Sequence, residues 1–257
     1  MVPKLFKEKN GYEIDGLWYP RVTSICSIIA KPGLERWIAN QPSFAVMERR
    51  RKKITDWGTL IHNTIGDILL DKTPKINPII RPSIEAFLDW LGSNKVKVVD
   101  IEKRVFSKQN VYAGTFDVLA ELNGKLGILD LKTSKDIWDD HFIQTAAYFN
   151  AYNEKNKQKA KTHWILKINQ YRKCEICGAE RRDKSGDINI RGGKRFCGHI
   201  FGKTKGWCEL KKVNNHKPFI DMFLSAKKLW EFSNRGKLSR IENYPNMTKT
   251  HLTLFNV

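Results

Sequence analysis

Residues 113–134 read AGTFDVLAELNGKLGILDLKTS. Two strand-like runs, Leu119 to Leu122 and Lys125 to Leu129, flank Asn123-Gly124. Asn-Gly between apolar runs is the strongest short-range hairpin signal, because both turn positions take positive φ. The turn sets the register. Leu122 faces Lys125, and counting outward brings Asp117 opposite Asp130. Opposed residues share a sheet face, and Lys132, two residues past Asp130, points the same way. Ile128, Leu129 and Leu131 surround the second acid with apolar residues on both faces, the pattern of a central strand.

Two carboxylates set face to face repel each other. A divalent cation removes that cost, and two acids with open positions for water and phosphate suit Mg²⁺. The lysine then stands where it can hold or deprotonate an attacking water. Aspartate, then aspartate-x-lysine, across a hairpin is therefore the arrangement of a metal-dependent phosphodiesterase. The plainer reading, a solvated face with ordinary charges, leaves the apolar residues around Asp130 unexplained.

Other stretches carry their own signals. Asp56 to Leu70 reads as an amphipathic helix with Trp57, Leu60, Ile61, Ile65, Ile68 and Leu69 as its apolar stripe. His62 has Gly58 and Gly66 four residues to either side, so that face can approach a backbone or ligand closely. Val96 to Ser107 is strand-like and carries Glu102. A helix from about His141 to Asn153, capped by Asp139-Asp140, stacks Gln144 and Tyr148 at i and i+4. Thr162 to Asn169 is apolar on both faces, as a strand inside a sheet should be.

GTLIH at 58 to 62, GTFD at 114 to 117, LDLK at 129 to 132 and QTAAY at 144 to 148, in that order, resemble the motif set of PD-(D/E)XK nucleases of the RecB type. PRVTSICSIIAKPGLERW at 20 to 37 resembles the leading segment of the mitochondrial genome-maintenance exonuclease and related phage exonucleases. The resemblance implies a restriction-endonuclease-like core, and a metal held by His62, Asp117 and Asp130. It further implies a catalytic Lys132, with Gln144 and Tyr148 contacting the substrate and that lysine. Glu102 falls on the strand where the family often carries an acid, so it joins the candidate site. Histidine among carboxylates suits Mn²⁺ as well as Mg²⁺. The resemblance also suggests an exonuclease acting on single-stranded DNA ends in replication, recombination or repair. A structure-selective endonuclease, a CRISPR-type adaptation nuclease and a non-catalytic nucleic-acid binder are the alternatives.

The chain holds 46 basic against 27 acidic residues, a formal charge of +19, which points to a polyanionic partner such as DNA. The basic run at Arg49, Arg50 and Arg51 leads into the histidine helix and is a candidate phosphate contact. No apolar run approaches the roughly 20 residues needed to span a bilayer, and the N-terminus lacks a signal-peptide core. A cytoplasmic protein with reduced thiols is the expectation.

Four of the five cysteines lie between 174 and 208, which favours metal over disulfides. Cys174-Glu-Ile-Cys177-Gly reads as a metal knuckle, and Cys174, Cys177, Cys197 and Cys208 suit tetrahedral Zn²⁺, with His199 as the alternative fourth ligand. An iron–sulfur cluster built on Cys26, Cys174, Cys177 and Cys197 is the rival. Arg181, Arg182, Lys184, Arg191, Lys194 and Arg195, with Phe196 and Trp207 interleaved, offer cations for phosphates and rings for bases. The expected architecture is α/β, a mixed central sheet flanked by helices. Residues 1–173 and 209–257 form the core, and 174–208 form an inserted cysteine-rich module.

Overall fold

Asn123 and Gly124 take φ of 50° and 77°, so the left-handed turn favoured by the Asn-Gly pair does form. The computed structural model describes residues 4–182 and 188–245. Lys184 and the tail beyond 245 lie outside the described residues. In chain order the elements are α1 (Lys4–Asn10), β1 (Gly11–Ile14), β2 (Leu17–Pro20), α2 (Val22–Cys26), α3 (Pro32–Ala39), α4 (Phe44–Leu69), α5 (Arg81–Ser93), β3 (Val96–Ser107), β4 (Tyr112–Leu122), β5 (Lys125–Lys132), α6 (Asp139–Lys155), β6 (Thr162–Cys174), β7 (Glu180–Arg182), β8 (Asn189–Arg191), β9 (Phe201–Val213), α7 (Lys217–Ser233) and α8 (Arg235–Leu238).

The fold is α/β with a mixed sheet. β4 runs antiparallel to β3 and β5, β5 parallel to β6, and β6 antiparallel to β9. Each face of the sheet has its own apolar layer. α6 and α7 cover one face, burying Tyr148, Phe149, Phe223 and Trp230 with Phe116 and Ile128. α4 and α5 cover the other, burying Ile61, Ile65, Ile84 and Phe87 with Leu129, Leu131 and Leu166. Residues alternate along β5, so Asp130 and Lys132 belong to the α6 face with Ile128. Among the described residues no helix is long and apolar enough to cross a membrane.

The basic run and the histidine motif are one helix. Ser43 opens α4 by accepting a hydrogen bond from Val46 N at 3.3 Å, and the helix continues unbroken to Leu69. At about 1.5 Å per residue, Arg50 lies roughly 18 Å along the axis from His62. Two apolar stripes are narrower than their periodicity suggests. Leu34 and Ile38 are exposed on α3, which buries none of its residues. Met222 and Leu229 are also exposed, each one step round α7 from the line Phe223, Ala226 and Trp230 that meets the sheet.

β6 decides where the cysteine segment goes. β9 occupies one edge of β6 from His163 to Cys174, and begins at Phe201 rather than at Glu209. β5 occupies the other edge along 162–167, and β7 takes that same edge at Arg172 and Lys173. β7 and β8 pair with each other, so this small ribbon stands beyond the C-terminal end of β5. The end of β5 is where Lys132 lies.

The N-terminus of α5 is seated on the β6–β9 hairpin. Ser83 Oγ donates to Gln170 Oε1 at 2.9 Å, and Gln170 Nε2 donates to Ile79 O at 2.9 Å. A Cβ on Gly206 would lie 1.6 Å from the carbonyl oxygen of Pro82. Backbone touches backbone there, so nothing flexible can yield. Gly206→Ala is expected to cost at least about 3 kcal/mol, read from the urea midpoint. A loss below about 1 kcal/mol would show that the seat is loose.

Candidate active site

β4 and β5 separate where the acids stand. The last ladder pair is Val118 with Leu129. The next pair in register, Asp117 with Asp130, does not form as a ladder pair. Asp117 Oδ2 instead accepts a hydrogen bond from Leu131 N at 2.7 Å. Two carboxylates at ladder spacing would repel, and the amide holds Asp117 over the end of β5 without that penalty. Asp130 is 1% exposed, and Lys132 Nζ lies 2.6 Å from its Oδ2. α4 brings His62 Nδ1 to 3.8 Å from Asp117 Oδ2.

From the other face, Lys132 Nζ donates to Gln144 Oε1 at 3.5 Å, and Gln144 Nε2 donates to Tyr148 OH at 2.9 Å. Tyr148 fits because residue 114 has no side chain. A Cβ there would lie 2.3 Å from Tyr148 Cε1. This contact ties GTFD to QTAAY. Gly58 is similarly close to Thr133, with a hypothetical Cβ 3.1 Å from Thr133 Oγ1, whereas Gly66 faces open space. Of the two glycines beside His62, only Gly58 serves a close approach.

Glu102 sits in register between Ile101↔Val118 and Lys103↔Phe116, level with Asp117. Its φ is +50°, a left-handed conformation that non-glycine residues seldom adopt. Such strain gathers at functional sites. Burial raises its carboxyl pKa, and the Asp130 charge raises it further.

Burial is the largest influence on both aspartates and pushes each to about 6. The Lys132 charge works against that shift in both, and the Asp117 charge adds to it at Asp130. Burial opposes the charge on Lys132, but Asp130 and Asp117 outweigh it, and its pKa rises. The two acids thus favour the ammonium form of Lys132. As an ammonium it donates hydrogen bonds.

The chemistry of these donors fits a hard divalent cation. Among the described residues, the buried Asp130 Oδ2 has no hydrogen-bond partner, although Lys132 Nζ lies 2.6 Å away as its ion pair. Carboxylate oxygens with an imidazole nitrogen suit Mg²⁺ or Mn²⁺. The donors are not drawn into a closed cage. Among the described residues, the one group of three or more whose ligand atoms lie within 4.8 Å of one another is Cys174, Cys177, Cys197 and His199.

The raised carboxyl pKa values set a sign. An acid raised from its ordinary value near 4 to about 6 on folding gives stability that is complete below pH 4. That contribution is lost as pH rises through 6. Added Mg²⁺ is therefore expected to raise Tm by several degrees at pH 7.5, where both acids are charged, and hardly at all at pH 5. Equal shifts at both pH values in a thermal melt would count against metal binding by these acids.

The cysteine group is a centre that can hold a metal ion such as zinc. Cys174 Sγ lies 3.9 Å from Cys197 Sγ and 3.4 Å from His199 Nδ1, which is 3.3 Å from Cys177 Sγ. The edges of a tetrahedron around zinc with such ligands are roughly 3.5 to 3.8 Å. Gly178, at φ +71°, turns the knuckle, and its N–H donates to Cys174 O at 2.9 Å. Burial acts to raise the Cys174 thiol, but amide N–H groups and His199 prevail and lower it to about 6. His199 is the fourth member in place of Cys208. Cys208 lies on β9 opposite Ile168 and packs against the α4–α5 layer, its thiol pushed by burial to about 12. Cys26 is buried in the α6–α7 layer and is no part of the group, so the Cys26-based cluster is not formed.

Several of the expected DNA contacts have partners within the chain. Arg182 donates to Lys135 O at 3.1 Å, and Arg191 meets Asp136 at 3.4 Å. With Asn169 Nδ2 donating to Ser134 O at 3.2 Å, they fasten the β7–β8 ribbon to the loop following Lys132. Trp207 has Lys167 over its ring at 4.3 Å and Arg182 at 5.9 Å. Arg50 bonds Gln41 at 2.6 Å, and Arg51 meets Glu48 at 3.5 Å, while Arg49 is exposed. Arg195 lies 5.6 Å over the ring of Phe196, which is 93% exposed, and both follow Lys194 in the stretch between β8 and Cys197. Lys167 was not among the expected site residues. It is buried in register with Lys132 and bonds Glu209 at 2.9 Å. A lysine and an asparagine inside the apolar strand THWILKIN were the available signal.

Neither the known protein-family profiles nor the curated proteins give a match to this chain.

Proposed function

We propose that the protein is a metal-dependent deoxyribonuclease of the PD-(D/E)XK type, acting on the ends of single-stranded DNA. The observation that carries this reading is the meeting of Asp117, Asp130 and His62 with the Lys132–Gln144–Tyr148 chain where β4 and β5 part. In a restriction-endonuclease-like core, the acids would hold Mg²⁺, which when bound polarises a phosphoryl oxygen and neutralises charge on the phosphate.

The chain's own residues supply the rest. The Lys132 ammonium donates to the developing negative charge on the phosphate and holds the attacking water in place. Gln144 fixes the ammonium, and the buried Tyr148 fixes Gln144. Tyr148 remains a phenol, because burial and the Asp130 charge push its pKa well up. A formal charge of +19 supports a polyanionic substrate.

The test is Mg²⁺-dependent degradation of 5′- and 3′-labelled oligonucleotides, single- and double-stranded, beside circular single-stranded DNA. Loss of end-labelled single strands with circles left whole is the expected result. Cutting of circles would make the enzyme an endonuclease. Retarded but uncut DNA would favour a binding protein.

A further inference from the structure

A cleft of about 330 Å³ opens where β6 is bare between β5 and β7. Trp57 of α4 supplies an aromatic side, Tyr171 belongs to the bare stretch of β6 that also lines it, Arg172 and Arg181 line it at the ribbon side, and Pro82 of α5 lines the far side. We propose that this cleft is a subsite for one unpaired nucleotide, with its base against Trp57 and its phosphate toward Arg172 and Arg181. The proposal deepens the nuclease reading, and rests on it for the strand's onward path to Asp130.

The size is right, since small-ligand clefts begin near 300 Å³. So is the chemistry. A planar base gains by stacking on aromatic rings whatever its sequence, and a guanidinium matches a phosphate. The walls are formed in advance. Gln170, on the floor, is clamped between Ser83 and Ile79, and the Gly206 seat fixes the α5 end. Arg172 is steadied by its Nε donating to Thr204 Oγ1 at 3.1 Å.

The position relative to the acids follows from the chain. Trp57 is next to Gly58, which touches Thr133, the residue after Lys132. Asn169, also lining the cleft, holds Ser134. A nucleotide in the cleft is thus a neighbour of the one at the acids. A duplex cannot place a base there without opening a pair, so the cleft selects unpaired strands.

The probe is 5′-fluorescein-labelled dT12 on the Asp130→Asn protein, with no Mg²⁺ and no chelator, read by anisotropy. Trp57→Ala and Arg181→Ala are each expected to weaken binding about tenfold, and Trp57→Phe to retain it, with binding of a 12-base-pair duplex unchanged. Parental affinity in both alanine variants, or an equal loss for the duplex, would overturn the proposal. A second reading needs no cleft variant. dT12 carrying 5-iododeoxyuridine should photocrosslink to Trp57, and crosslinks confined to residues outside the cleft would overturn it. If these binding results hold while the wild type with Mg²⁺ cuts nothing, the cleft stands and the hydrolase reading fails.

Discussion

Asp130→Asn is expected to lower the rate of end-labelled DNA degradation by at least about a thousandfold and to leave the fold intact. The side chain is 1% exposed at the centre of the charged group, 2.6 Å from Lys132 and within reach of the Asp117 and His62 charges. Asparagine keeps the shape but loses the anion. It can neither hold a divalent cation nor keep Lys132 in a fixed ammonium geometry. Stability should change little, because burial already disfavours the carboxylate, as its pKa of about 6 records. A circular-dichroism melt within a few degrees of the parent, beside an activity loss of three orders of magnitude, is the expected pair of results. A rate within tenfold of wild type would remove Asp130 from the chemistry and with it the nuclease proposal.

The second large effect concerns the cysteine centre. Cys177→Ser is expected to reduce bound zinc from about one ion per chain to almost none, measured by mass spectrometry of the purified protein. His199→Ala should do the same, and Cys208→Ala should leave the zinc in place. Structural zinc in small modules is worth on the order of 10 kcal/mol of apparent folding energy, which a two-strand ribbon cannot supply by packing. Loss of the ion should therefore loosen β7 and β8, and through Arg182 and Arg191 the loop from Ser134 to Asp136. Activity should fall roughly ten- to a hundredfold, as when support around a site is removed. Retained zinc in Cys177→Ser, or zinc lost in Cys208→Ala, would contradict the assignment. A brown protein would indicate iron–sulfur chemistry instead of zinc.

The hairpin was legible because its information is local. Asn123-Gly124 dictates positive φ, and the register follows by counting. Its last step failed for a reason that counting cannot see. A ladder continues only while facing residues tolerate each other, and two acids do not, so Asp117 turned to the Leu131 amide. The Cys174-x-x-Cys177 knuckle was legible for the same local reason, but its closure was not. Cys208 and His199 both follow Cys197 in the sequence, and only the pairing of β9 with β6 shows that Cys208 packs against the core.

The basic residues show the opposite limit. A count of charges says that a polyanion is wanted, yet it cannot tell an arginine that meets solvent from one that fastens a loop. Arg182 and Arg191 fasten a loop, while Arg195 stands beside a ring that is 93% exposed. Likewise no spacing rule joins Trp57 to Tyr171, which are far apart in the chain and share a cleft only because α4 and β6 pass each other.

By itself the sequence determined the α/β class, the central turn, the placing of two acids and a lysine around one strand end, and the thiol knuckle. Each depends on backbone preferences and side-chain alternation within a few residues. The tertiary structure alone decided the burial of Lys132 beside the two acids, the fourth member of the metal group, and the seating of the ribbon over the end of β5. Those depend on burial and on contacts between distant segments, which no local pattern encodes.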